Sequence, residues 1–222
     1  TISVTDDGQP GLTDSGLVTI ALKQVLVSDP ADARVLVPLI TSPTSTWRDL
    51  LFDEASWTNG QTGVGYERNS GYEALLNTDV EAEMYATNSS VWIRIPFLVD
   101  DPATLAKLTL RMKYDDGFVA YLNGQRIESR NAPSEPLAWN EEATDDHSDS
   151  AAVTFEEYDL SAFLNALVAG DNVLAIHGLN GGSSSSDMLI VPELTTTGGG
   201  TIGLTTLPVI VGPLVDALTS SS

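Results

Sequence analysis

Residues 114–127 read Tyr-Asp-Asp-Gly-Phe-Val-Ala-Tyr-Leu-Asn-Gly-Gln-Arg-Ile, and this stretch decides the fold class. Asp115, Asp116 and Gly117 are turn-forming residues that separate two apolar runs. Asn123-Gly124 is a strong hairpin signal, because a type I′ turn needs positive φ at both central residues. The stretch therefore predicts three consecutive antiparallel strands, a β-meander in the middle of the chain.

The segments before the meander also have the pattern of half-buried strands. Apolar and polar residues alternate along 91–99, with Val91, Ile93 and Ile95 on one face, and again along 107–113. A period of two is expected when only one face of a strand meets the core. We expect these strands and the meander to form one face of a common core.

Helical periodicity is found in one place. Leu160, Phe163, Leu164 and Leu167 share a helical face within 159–170, and Gly170 is suited to end a helix. The sequence therefore predicts an all-β protein, an antiparallel β-sandwich with one short peripheral helix.

The composition of the chain changes at three points along its length. We expect a β-hairpin over 1–25, a linker and first edge strand over 26–46, the sandwich over 47–194, and a Gly/Thr linker with an apolar tail over 195–222. Residue 1 falls inside a strand-like run, so we expect the chain to be a piece of a longer protein. The tail is too short and too broken by proline for a membrane helix.

The charge of the chain excludes several classes of function. The 222 residues include 31 acidic and 10 basic side chains, a net charge of −21. Such a surface repels nucleic acids and anionic membranes, and it suits a secreted or cell-surface protein at high ionic strength. With no cysteine and two histidines, soft-metal sites are not expected, whereas calcium, which prefers oxygen ligands, is.

Several short motifs occur in an order that resembles a known family. The chain resembles the galactose-binding-like jelly-roll modules of large secreted and surface proteins of environmental, planctomycete-type bacteria. The resemblance implies a two-sheet antiparallel sandwich of about eight strands, and residues 1–25 resemble the end of an immunoglobulin-like or cadherin-like repeat. The matching residues are Phe52, Asp53, Trp57, Gly63, Gly65, Tyr66, Arg94, Phe97, 115–124 and 170–175.

Carbohydrate recognition by such modules is expected to use exposed aromatic rings with polar neighbours. The strongest local concentration is 139–149, where Trp139 is the candidate stacking platform and Asn140 and His147 are its candidate polar partners. The alternative is that Trp139 plugs the end of the sandwich and the acidic residues after it form a solvated loop.

Other aromatic residues are secondary candidates. Trp92 and Arg94 share a strand face and form either a ligand surface or a cation–π pair that covers the sheet. Tyr66 and Tyr72 follow glycines in a loop-like region and are candidates for the rim of a site. Trp47 is expected to be buried, and so is Trp57.

Asp115 and Asp116 are the candidate calcium ligands, because neighbouring carboxylates are typical of oxygen-rich metal sites. The run of Asp145, Asp146 and Asp149 has the same chemistry. Turn formation explains the first pair without a metal, and neither group has the spacing of an EF-hand. A structural calcium in this fold is an analogy with the family.

Catalysis has little support, since the chain has no nucleophile elbow, no cysteine and no His-Glu-x-x-His motif. The expected function is that of a non-catalytic carbohydrate-binding module, with a polysaccharide or glycan as partner. The alternative is a structural or adhesive surface domain that forms homo-oligomers, as a layer or filament, by strand addition through its terminal segments.

Overall fold

The computed structural model describes residues 20–42 and 46–200. Within them, twelve strands form two six-stranded sheets, which confirms the predicted all-β sandwich. The strands are β1 (Ile20–Val27), β2 (Asp32–Leu36), β3 (Thr58–Gln61), β4 (Val64–Glu67), β5 (Thr78–Asp79), β6 (Ser90–Val99), β7 (Leu105–Asp115), β8 (Gly117–Leu122), β9 (Gln125–Arg130), β10 (Glu156–Asp159), β11 (Gly170–Leu179) and β12 (Asp187–Gly200).

The two sheets have different strand orders. The first runs β10-β7-β12-β4-β5, and β1 also pairs with β12. The second runs β3-β2-β6-β11-β8-β9. Within these two strand orders, neighbouring strands are antiparallel except β4 and β5, which are parallel. Among the helices formed by the described residues, none is long and apolar enough to cross a membrane.

Alternating apolar residues of both sheets fill the main core. Ile93 and Ile95 of β6 and Leu108 and Leu110 of β7 are completely buried in one cluster with residues of the other strands. The predicted strands at 91–99 and 107–113 are therefore confirmed. They lie in opposite sheets, so the expectation that they share one face with the meander is wrong.

The predicted meander is half right. Asn123 and Gly124 have φ values of +50° and +91°, as a type I′ turn requires, and they join β8 and β9 in a hairpin. In contrast, Asp115 pairs with Leu189 in the first sheet and Gly117 pairs with Leu179 in the second. The turn at 115–117 therefore carries the chain from one sheet to the other.

The expected helix over 159–170 is shorter and of another type. A 3₁₀-helix covers Ser161–Ala166, while Glu156–Asp159 is a strand and Gly170 begins β11. The apolar residues that suggested a helical face pack against the main core from this short segment. Two further helices are one turn long, α1 (Glu81–Met84) and α2 (Asp149–Ala152), and Pro102–Thr104 forms a second 3₁₀ turn.

Two of the predicted segment boundaries and the position of one strand also differ from the structure. β1 begins at Ile20 and pairs with β12, so 20–27 forms part of the sandwich. β2 lies between β3 and β6 and is not an edge strand. β12 continues to Gly200, because Thr195 to Gly198 pair with β7, so the linker expected from Thr195 is wrong there. The remainder of the hairpin, 1–19, and the tail after 200 lie outside the described residues.

Candidate functional site: an acidic pocket

An open pocket of about 650 Å³ lies where four segments meet at one end of the sandwich. The segments are the end of β4 with the residues after it, the turn between β7 and β8, residues 146–149, and the loop at 181–187. Ser148 and Ser184–Ser186 contribute hydroxyl-bearing residues to the lining. Its six acidic residues are Glu67, Asp115, Asp116, Asp146, Asp149 and Asp187.

Asp116 holds the wall of the pocket together. Its Oδ1 accepts a hydrogen bond from the backbone N–H of His147 at 3.0 Å, and its Oδ2 accepts one from Gly181 at 2.8 Å. A Cβ atom on Gly181 would lie 2.8 Å from that Oδ2, so glycine permits the close approach. One carboxylate thus joins the turn between the sheets to two loops that are distant in sequence.

Asp115 is in the opposite electrostatic situation. Its side chain is 3% exposed, and burial together with the negative charges of Asp116, Asp187 and Asp149 raises the pKa of its carboxyl well above the usual range. Burial and the neighbouring charges of Asp149 and Glu67 also raise the pKa of Asp187. Like charges are therefore concentrated here, and the described lining residues include no Lys or Arg.

Two buried polar atoms beside the pocket have no hydrogen-bond partner among the described residues. The Tyr72 hydroxyl is one, although its residue is fully buried. Burial and the charges of Asp115, Asp149 and Asp187 raise its pKa, so it lies near the pocket carboxylates. The other is Oδ1 of Asn180, whose Nδ2 donates to the backbone carbonyl of Asp187 at 2.9 Å. Such orphaned groups are uncommon in protein interiors, and each calls for an explanation such as a bound water or ion.

His147 is the one predicted ligand residue, apart from the two aspartates, that the structure places at the pocket. Its ring stacks on Tyr114 with centroids 4.1 Å apart, and its Nδ1 donates to the Tyr114 carbonyl at 2.7 Å. Its Nε2 lies 3.3 Å from Glu156. The ring is thus fixed by three contacts at the edge of the pocket.

Four other predicted ligand residues are buried, so their predicted role at a ligand surface is wrong. Tyr66 and Tyr72, expected at a rim, are 1% and 0% exposed. The region after Trp57 contains strands β3 and β4, and Tyr66 faces the core while its hydroxyl donates to the Ser185 carbonyl at 3.0 Å. Trp92 and Arg94 are 1% and 2% exposed.

Trp92 and Arg94 are covered by the segment that precedes β3. Trp92 stacks on Trp47 with centroids 4.8 Å apart and 6° between the ring planes, and Trp57 packs beside them. Arg94 pairs with Glu54 and donates to the backbone carbonyls of Asp49, at 2.9 Å, and Trp47. The expected burial of Trp47 and Trp57 is confirmed.

Trp139 and Asn140 do not lie with His147 in the pocket lining. Trp139 is partly buried and packs against the cluster that contains Trp47, Trp57 and Trp92. The backbone carbonyl of Asn140 accepts a hydrogen bond from Ser89 Oγ at 2.9 Å, and its side chain is exposed. The structure therefore favours the plugging role for Trp139 that the sequence left open.

The calcium expected at Asp115 and Asp116 stays a prediction. In the described parts of the chain, no group of three or more His, Asp or Glu side chains is arranged to hold a metal ion. Asp115 and Asp116 line the pocket, and so do Asp146 and Asp149 of the second acidic run, whereas Asp145 does not. Both oxygens of Asp116 are already engaged by backbone N–H groups.

Sequence reasoning overlooked Glu67, Asp187 and the serine loop as parts of one site. The available signal was the run of four serines that ends in Asp187, because a polar loop between two apolar strands must lie at an end of the sandwich. The strand order determines which other loops lie at that end, and the sequence did not predict the strand order.

The comparisons with known proteins bear on the fold. No protein-family model and no curated protein matches the chain. Among solved structures, Bacteroides uniformis β-glucuronidase 2 covalently bound to cyclophellitol-6-carboxylate aziridine matches 80% of this chain and 18% of its own, with 14% identity and a TM-score of 0.50. A β-glucuronidase from an uncultured Clostridium matches 86% of this chain and 31% of its own, with 12% identity and a TM-score of 0.47.

The chain thus spans about a fifth of the length of the first enzyme (18%). At this level of identity the likeness shows a shared β-sandwich and does not transfer an activity. The planctomycete-type source and the terminal immunoglobulin-like repeat stay predictions.

Proposed function

We propose that this domain is a non-catalytic glycan-binding module and that the acidic pocket is its binding site. The pocket, about 650 Å³ in volume, is the observation that carries the proposal. Its size falls within the range of small-ligand sites, roughly 300–1,000 Å³. Its carboxylates accept hydrogen bonds from sugar hydroxyls, and its serine hydroxyls both donate and accept them.

The proposed setting is a secreted or cell-surface protein, in keeping with the net charge of −21. The absence of catalysis is part of the proposal and follows from the missing nucleophile and metal motifs in the sequence. The alternative of self-assembly through terminal strands depends largely on 1–19 and 201–222, which lie outside the described residues.

A glycan array probed with the whole labelled chain tests the proposal. Ser184 lines the pocket and is exposed, so Ser184→Trp should fill the site and abolish binding without unfolding the protein. Ala103→Trp is the matched control, because Ala103 is exposed and outside the pocket lining. Binding that survives Ser184→Trp, an array without any bound glycan, or hydrolysis of the bound glycan would contradict the proposal.

A further inference from the structure

We propose that the pocket selects a ligand with a positively charged amine, and that the glycan it binds is an amino-sugar oligosaccharide with free amino groups. This inference rests on the proposed function, because it names the class of glycan for the same pocket. Four properties of the site support it: its charge, its unpartnered buried groups, its hydroxyl-bearing wall and its size.

The negative charge of the lining favours a ligand with a positive charge. Six carboxyl side chains line the pocket, and no Lys or Arg is found among its described lining residues. Its one histidine, His147, directs Nε2 to Glu156, outside the lining set. An anionic sugar such as a uronic acid would add negative charge to this cluster, whereas an ammonium group would neutralise part of it.

The buried groups beside the pocket are a second and independent observation. The Tyr72 hydroxyl is fully buried behind the lining and forms no hydrogen bond of standard geometry among the described residues. Its charged neighbours are the pocket carboxylates Asp115, Asp149 and Asp187, and Asp115 is near enough to interact with it directly. Asp115, which is 3% exposed, faces Asp116, Asp149 and Asp187. Buried charges in proteins are normally paired. An ammonium group supplies three donors and a positive charge, which is what this part of the pocket lacks.

The rest of the pocket fits the remainder of an amino sugar. Ser184–Ser186 line the pocket together with the turn at 115–116, and Ser148 and Asn69 add further polar groups. A volume of about 650 Å³ is far larger than one small ion needs, given that a water molecule takes about 30 Å³. The pocket therefore has room for a sugar ring whose amine meets the carboxylates and whose hydroxyls meet the serines.

Calorimetric titration of the whole chain with two matched probes tests this inference. The probes are a glucosamine trimer with free amines and its N-acetylated form, in buffer with EDTA at a pH that keeps the amines protonated. We expect the free-amine trimer to bind at least about 10-fold more tightly, since a hydrogen bond to a charged group contributes about 1.5–3 kcal/mol and 1.4 kcal/mol is tenfold.

Single carboxylate variants separate the pocket from the general negative charge of the protein. Asp149→Asn and Asp187→Asn should each weaken binding of the free-amine trimer by about 5- to 10-fold. Asp100→Asn is the matched control, because Asp100 is exposed after the end of β6 that is far from the pocket, and it should leave binding unchanged. Equal losses in all three variants would overturn the inference in favour of non-specific attraction.

The remaining outcomes distinguish this inference from the proposed function. If the N-acetylated trimer binds as tightly as the free-amine trimer and Ser184→Trp abolishes both, the glycan-binding function stands and the inference fails. If no glycan binds, both fail. Calcium chloride titrated without sugar in EDTA-free buffer tests a metal ion as the ligand. If it binds, Asp187→Asn abolishes that binding, and neither trimer binds better than the other, the cation of the pocket is a metal ion and the inference is overturned.

Discussion

Asp115 and Asp116 are neighbours in sequence, yet they have opposite energetic roles. Asp116 accepts hydrogen bonds from two backbone N–H groups, so its charge stabilises the local structure. Asp115 is 3% exposed and is surrounded by carboxylates that disfavour its ionised form. A residue that costs stability in the free protein is typical of a site organised around a ligand.

We expect Asp115→Asn to raise the free energy of unfolding at neutral pH by about 1–3 kcal/mol, because asparagine has the same shape and is neutral, so its burial does not require the uptake of a proton on folding. The folded-state pKa of Asp115 lies above its unfolded value, so ionisation penalises the folded state increasingly as the pH rises. The gain should therefore be largest near about pH 9 and should vanish near about pH 4. Urea unfolding across this range measures it.

Asp116→Asn is the matched control and should have the opposite effect. It replaces one of the two accepting oxygens with an amide group that cannot accept the N–H of His147 or Gly181. We expect a loss of about 1.5–3 kcal/mol. A stabilised Asp116→Asn or a destabilised Asp115→Asn would contradict the assignment of these roles.

At the scale of elements, two long connections cover the outer face of the second sheet. The segment before β3 is fastened by Arg94, which reaches the carbonyls of Asp49 and Trp47. The connection between β9 and β10 contributes Trp139 to the same cluster. These aromatic residues shield the second sheet from solvent, so that β8 and the first part of β6, residues 90–95, are buried on both faces.

We expect Trp139→Ala to lower the free energy of unfolding by about 1–3 kcal/mol, less than the loss for a fully buried tryptophan because Trp139 is only partly buried. Asn140→Ala should change it little, since the Asn140 side chain is exposed. Denaturant unfolding of both variants checks the contrast. Loss of glycan binding by a Trp139→Ala protein of unchanged stability would restore the stacking role.

At the scale of the whole molecule, the charge balance is one-sided. Much of the positive charge is used in ion pairs, such as Arg48 with Glu135, Arg68 with Glu81 and Arg130 with Glu128. The formal net charge remains −21, because 31 acidic residues face only 10 Lys and Arg residues in the sequence. Self-repulsion of this kind destabilises a compact state, and salt reduces it.

We therefore expect the melting temperature to rise by several degrees between about 10 mM and about 500 mM NaCl, because the screening length falls from about 30 Å to below about 10 Å. Thermal unfolding at constant neutral pH measures the change. A melting temperature that falls with salt would show that the ion pairs outweigh the self-repulsion.

The sequence predicted those features that depend on local pattern. The period of two identified β6 and β7, and Asn123-Gly124 identified the hairpin of β8 and β9, because side-chain direction and positive φ are local properties. The turn at 115–117 was placed correctly, but its residues do not encode whether the next strand pairs in the same sheet. That choice depends on Leu179 and Leu189, which are far away in the sequence.

The site was predicted only in part for the same reason. The glycines near Tyr66 predict a loop. In the structure, however, Gly65 lies in a strand and is required by its close contact with the backbone of β12. A Cβ atom on Gly65 would lie 1.9 Å from the Met188 carbonyl oxygen. Asp115, Asp116 and His147 are candidates from the sequence that do line the pocket. Their convergence with Glu67 and Asp187 depends on the order of strands in the sheets.

The stacked indole rings of Trp47 and Trp92 provide an intrinsic spectroscopic signal for the docking of one segment. Two indoles 4.8 Å apart with nearly parallel planes interact as coupled chromophores. Because Trp47 lies on a connecting segment and Trp92 on a strand, release of that segment separates the pair without melting the sheets. Circular dichroism in the aromatic region, read beside the peptide signal, thus distinguishes undocking of one loop from loss of the whole fold.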